Sequence, residues 1–153
     1  MNQRRTKDMN RADHAAEYMK TGFNCAQSIV KAFSALTGTA EDALVRMAAP
    51  LGGGIGRNGH VCGALLGAVL ILGEVFGNFD PADTQSREKA YEKADRLLDG
   101  FRKEHGSVLC RELIRIDMKN PDELQKAREE GVFQKQCPLF VLTAGRLLEE
   151  FLE

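Results

Sequence analysis

Helix punctuation recurs along this sequence at short intervals, and that recurrence limits the chain to a helical fold. A polar or proline start is followed by apolar residues three and four apart, then by glycine or another break. Asn24 opens one such run, in which Ala26, Ile29, Val30, Phe33 and Leu36 share a face and Gly38 supplies a left-handed stop. Asp80-Pro81 opens another, with Tyr91, Ala94, Leu97, Leu98 and Phe101 as its expected buried stripe. Thr6 to Lys20 reads as a weaker first helix ended by Gly22, and Thr39 as the cap of a short helix to Met47. Ser107 recaps the chain ahead of Cys110, Asn120-Pro121 starts the next helix, and a last one follows Pro138 with Phe140, Val141, Ala144, Leu147, Leu148 and Phe151 on one face. No run of alternating β-branched residues argues for a strand. The expected class is therefore all-α: a single compact multi-helix bundle over residues 1–153, with a central apolar helix following a glycine-rich loop.

That central helix begins near Val61. Its apolar run ends at Leu72, before Gly73 and Glu74, far short of the roughly 20 residues that cross a bilayer. It reads as core, and no membrane role is expected. With 21 basic and 22 acidic residues, the chain has no global field to draw nucleic acid. The polar start from Met1 to Asp8 lacks the apolar run of a secretory signal, so a cytoplasmic location is expected. In a reducing compartment the cysteines are then thiols, metal ligands or transient redox partners rather than a disulfide framework.

The four cysteines share a predicted position. Cys25 follows Asn24, Cys62 follows the glycine loop, Cys110 follows Ser107, and Cys137 precedes Pro138, so each falls in or beside the first turn of a helix. Free amides there stabilise an anion, which favours a lowered thiol pKa, higher reactivity or better metal binding. Helical spacing also turns Cys25, Cys110 and Cys137 toward the apolar side. The competing reading is that of inert core thiols, since free cysteine packs as a small hydrophobe. No Cys-x-x-Cys pair occurs, which argues against a zinc ribbon or a thioredoxin-type motif. His14 and His105 lack a partner at ligand spacing and are expected at the surface.

Gly52 to His60 contains a literal G-x-G-x-x-G, spanning Gly54, Gly56 and Gly59. A dinucleotide site needs a preceding strand, and here the preceding segment reads as helix. The loop is better read as bringing backbone amides beside Cys62, with Arg57 placed to hold a thiolate or an anionic substrate and His60 to relay a proton or bind metal. Flexibility of this loop makes Cys62 the expected attacking thiol.

Asn24-Cys25-Ala26-Gln27, the glycine loop leading to Cys62-Gly63-Ala64-Leu65-Leu66-Gly67, Cys110-Arg111-Glu112-Leu113, and Cys137-Pro138 together resemble the C_GCAxxG_C_C family of redox-active proteins. The family label writes Gly-Cys-Ala where this chain has Cys62-Gly63-Ala64. The resemblance implies redox activity through Cys25, Cys62, Cys110 and Cys137, with an iron–sulfur centre in some relatives. Dithiol/disulfide cycling and an iron–sulfur cluster on the four cysteines are thus the leading expectations, with a separate redox partner and an open question of homo-oligomer formation. A zinc-binding module on the same four ligands, or a helical interaction domain with structural thiols, is the alternative.

Overall fold

A computed structural model describes residues 9–152. Helix α1 is Arg11–Lys20, and the side chain of Asn10 caps it by accepting from the Asp13 amide at 2.9 Å. Thr6 to Asp8, where the sequence pattern starts this helix, lie outside the described residues. Helix α2 is Cys25–Phe33, continued by a 3-10 turn Ser34–Leu36. After α3, Glu41–Ala48, a second 3-10 turn leads into the glycine loop. The remaining helices are α4 Gly63–Phe76, α5 Thr84–His105, the short α6 Cys110–Ile114, α7 Pro121–Glu129 and α8 Val132–Leu152. No strand forms among the described residues; a single antiparallel bridge pairs Val61 with Leu109.

The apolar run becomes the centre of the bundle. Ala64, Leu65, Ala68 and Ile71 of α4 are wholly buried, and α4 packs against α2, α5 and α8, while α1 lies against α8 and α2. Burying each large aliphatic side chain contributes about 1.5–3 kcal/mol, so this helix carries much of the core. Its contact with α2 is made at glycine. A Cβ on Gly67 would lie 2.7 Å from the Ala26 carbonyl oxygen and 3.2 Å from the Ala26 Cα. Backbone thus rests on backbone, and the register between α2 and α4 is fixed there.

Several local expectations are corrected. Ala40, not Thr39, is the residue preceding α3, and the Thr39 hydroxyl instead donates to Glu74 at 2.6 Å, tying the loop to the end of α4. Asp83 caps α5, with Asp80-Pro81 left in the preceding turn, because its carboxylate takes the Ser86 amide at 3.0 Å. Tyr91 is 63% exposed, since only Leu97 and Phe101 of α5 are buried and its N-terminal half meets solvent. Ser107 does accept from the Leu109 amide at 3.0 Å, although Leu109 is the residue before α6. Pro138 lies inside α8 rather than at its start. Gly131, at φ 68°, ends the preceding segment, and the helix restarts at once with Val132, six residues before the ring. Proline there costs the hydrogen bond that Gln134's carbonyl would otherwise accept.

The two glycines of α4 should respond oppositely to alanine. Gly67→Ala is expected to lower stability by about 1–3 kcal/mol, since the backbone of α2 cannot yield. Gly73→Ala meets nothing within 4 Å and should raise stability by about 0.5–1 kcal/mol through helix propensity. Urea unfolding of the two variants checks both signs.

Candidate functional site

The site is assembled at the ends of α2, α4 and α6 and in the first half of α8. Cys25 is the first residue of α2, held by a capping box: Asn24 accepts from the Gln27 amide at 2.9 Å, and the Gln27 side chain accepts from the Asn24 amide at 3.1 Å. The Asn24 amide group also donates to the Ala49 carbonyl at 2.9 Å, pinning the entry to the glycine loop. The Cys25 sulfur lies where a Cβ on Gly63 would be, so only glycine fits between Cys62 and Ala64. This is the physical reason for the order Cys62-Gly63-Ala64.

Cys62 caps α4. Its amide donates to the Val108 carbonyl at 2.8 Å, and the Cys110 amide donates to the His60 carbonyl at 2.7 Å, on either side of the Val61–Leu109 bridge. Side chains alternate across such a pairing, so Cys62 and Cys110 leave it on the same side. Cys137 arrives from α8. All four thiols line one cavity of about 460 Å³, together with the apolar side chains of Met19, Leu113, Met118, Leu124, Phe133 and Phe140. Arg57 and Arg128 also line it, and among the described residues no histidine or carboxylate does.

The helix-start expectation holds for position and fails for the sign of its effect. Burial raises the pKa of all four thiols. Cys110 and Cys137 are pushed up to about 12, by burial first and then by the charge that a Cys25 thiolate would place beside them. Cys62 is raised well above its ordinary value, with the Cys25 and Cys110 thiols adding to burial and the amides of Ala64 and Leu65 opposing it. Cys25 differs. Burial is again the largest cause, but four backbone amides, those of Gly53, Ala26, Ala64 and Cys25 itself, act to lower its pKa. Desolvation therefore outweighs the helix-terminus field everywhere, and Cys25 is the thiol whose anion the fold supports best.

Cys62 is 5% exposed and is the buried one of the four, whereas Cys25, Cys110 and Cys137 are half-buried. Cys62 is therefore not the most accessible of the four thiols, contrary to what the glycine loop led the sequence to suggest. Cys137 sits within α8, not at a helix start, so the amide field is absent there. No three His, Cys, Asp or Glu side chains among the described residues are grouped so as to hold one ion.

Gly53, Gly54, Ile55, Gly56 and Arg57 have φ of 67°, 63°, 66°, 57° and 66°, five successive residues in the left-handed region. For Ile55 and Arg57 this conformation costs about 1–2 kcal/mol each. The Gly56, Gly59 and His60 amides donate to the carbonyls of Pro50, Gly53 and Gly54 at 2.9, 3.1 and 3.0 Å, so they are spent within the loop rather than offered to phosphate. A Cβ on Gly54 would meet the His60 backbone at 2.5 Å, and one on Gly59 the Arg111 Cβ at 2.8 Å. Gly54, Gly59 and His60 thus build the turn and its seam to α6; Gly56 and Arg57 reach the cavity. His105 is half-buried, its Nε2 2.8 Å from the Thr143 hydroxyl, and neither it nor His14 lines the cavity. Met19, Met118 and Arg128 carried no sequence signal for the site, because they converge on it from α1, the α6–α7 connection and α7.

A family model described as "Putative redox-active protein (C_GCAxxG_C_C)" matches residues 23–151. The chain belongs to the C_GCAxxG_C_C family. The matched span contains all four cysteines and every element that positions them. No curated protein and no solved structure matches the chain.

Two outcomes follow from the raised pKa values. Iodoacetamide at pH 8 should modify the folded thiols more slowly than those of the urea-unfolded chain, with Cys62 last, as peptide mass spectrometry will show. Folded Cys110 and Cys137 keep their protons to about 12, whereas the unfolded chain releases them near the ordinary 9.0. Their contribution to stability is therefore full below pH 9 and declines as pH rises toward about 12. Under reducing conditions, urea midpoints should fall across that window, and less steeply in a Cys110→Ser, Cys137→Ser variant.

Proposed function

We propose that this protein is a thiol-based oxidoreductase in which Cys25 attacks and Cys62 resolves. One observation carries the reading: four thiols from three helix starts and one helix interior line a single apolar cavity, and one of them is surrounded by backbone amides. Exchange requires a thiolate and a neighbouring second thiol. Cys25 meets the first requirement through its amides. Cys62 meets the second, since the Cys25 sulfur rests on Gly63, the residue after it, and the Cys25 thiol is the neighbour that most raises the Cys62 pKa. In the forward step the Cys25 thiolate bonds to one sulfur of a substrate disulfide and expels the other as a thiolate, which takes up the proton lost by Cys25. Cys62 then bonds to the Cys25 sulfur, releasing the second substrate thiol. The protein dithiol becomes a disulfide and the substrate disulfide becomes two thiols.

The donor chemistry also favours a second reading. Four thiols in a lining that holds no carboxylate or histidine among the described residues suit an iron–sulfur cluster on Cys25, Cys62, Cys110 and Cys137. Bound there, the cluster would supply one-electron transfer, and the amides at Cys25 and Cys62 would stabilise its thiolate ligands.

Anaerobic purification followed by an absorption spectrum, iron and sulfide determination and thiol titration separates the readings. Thiol exchange predicts colourless protein that loses two thiols to excess organic disulfide and gains a Cys25–Cys62 bond by peptide mapping. Cys25→Ser should abolish the reaction, while Cys62→Ser should halt at a mixed disulfide on Cys25. Stoichiometric iron and sulfide with visible absorption would overturn exchange in favour of the cluster.

A further inference from the structure

The cavity mouth carries charge of one sign. Arg57 and Arg128 line it, both are exposed, and neither enters an ion pair or side-chain hydrogen bond among the described residues. Arg96, Arg102 and Arg146 pair with Glu92, Asp99 and Glu104, whereas Arg87, Arg111 and Arg115 also enter no ion pair among the described residues but do not line this cavity. Arg57 is held at the mouth by the left-handed turn, its Cγ set where a Cβ on Gly53 would be only 3.1 Å away. Gly53 in turn offers its amide to Cys25. One turn of backbone therefore links the rim cation to the attacking sulfur. Below the rim the walls are apolar, formed by Met118, Leu113, Phe133 and Phe140, and the volume of about 460 Å³ is that of a small-molecule site.

We propose that the cavity takes a small organic disulfide whose apolar arms end in a carboxylate, the anion held by Arg57 and Arg128 and the disulfide delivered to Cys25. This deepens the thiol-exchange reading and rests on it. An anion suits this mouth because, among the described residues, two unpaired guanidiniums face it and no acidic side chain lines it. A long apolar arm suits it because the path from the rim to the sulfurs offers few polar partners. The step keeps the balance given above: the substrate disulfide takes two electrons and ends as two carboxylate-bearing thiols, while Cys25 and Cys62 become a disulfide.

The probes are dithiodihexanoate and its uncharged diamide, presented to the reduced full-length protein without oxygen, with hexanoate and hexanamide as redox-inert counterparts. The dianion should oxidise the protein roughly tenfold faster than the diamide, about what one charge-assisted hydrogen bond supplies. That preference should collapse toward unity in an Arg57→Gln, Arg128→Gln variant and shrink at high salt. Hexanoate should slow the reaction more than hexanamide in the wild type. Equal rates for dianion and diamide, with hexanoate competing no better than hexanamide, would overturn the anion site while leaving thiol exchange standing. Protection of the cavity cysteines from alkylation by hexanoate but not hexanamide, with neither disulfide reduced, would instead sink thiol exchange and the disulfide half of the proposal, the anion site surviving.

Discussion

The contact on which the site depends is the close approach of α2 to α4 at Gly63 and Gly67. A side chain at Gly67 would strike the Ala26 backbone, and one at Gly63 would occupy the volume of the Cys25 sulfur. Removing both side chains lets the first turn of α2 rest on the first turn of α4. Cys25 and Cys62 are then neighbours although they stand 37 positions apart in the chain. The same approach brings the Ala64 amide to the Cys25 sulfur, so packing and electrostatics are set by one pair of glycines.

What that approach creates is a balance between two opposed effects. Helix starts and the turn at Gly53 direct amides at sulfur and favour an anion, whereas an apolar enclosure penalises one. Enclosure prevails at all four thiols, least opposed at Cys110 and Cys137 and most opposed at Cys25. A second thiolate is further disfavoured by the first, because each sulfur lies within the field of its neighbours. Such a cluster favours protonated, uncharged thiols at neutral pH.

The left-handed turn is the costly part of the framework. Ile55 and Arg57 are held at positive φ, and five successive residues of this hand leave the chain no regular partner except its own carbonyls and the seam to α6. Strain of this kind persists only where surrounding contacts impose it. Here it turns the chain sharply enough to present the Gly53 amide inward and the Arg57 side chain at the cavity mouth, and then to pair Val61 with Leu109 so that Cys62 and Cys110 share a side.

Helix number and order, the burial of Val61 to Leu72, and the importance of four cysteines were legible in the residues, because periodicity and caps act over a few positions. Asn24 before Cys25 and Asn120 before Pro121 announced their helices by side-chain chemistry alone. Thr39, Asp80-Pro81 and Pro138 misled at boundaries where a neighbouring helix or a competing cap, Asp83 in one case, took over. The left-handed turn was hidden behind a G-x-G-x-x-G string, since glycine content permits either hand and only the seam to α6 selects one. The pKa signs were hidden for a different reason. Sequence placed amides near sulfur, but desolvation is summed over residues from α1, α2, α4, α7 and α8 that meet only when the bundle closes. By itself, then, the sequence determined the helices and the chemistry they carry; tertiary packing decided which thiol is best surrounded by amides, which arginines face the cavity and how the four sulfurs come to share it.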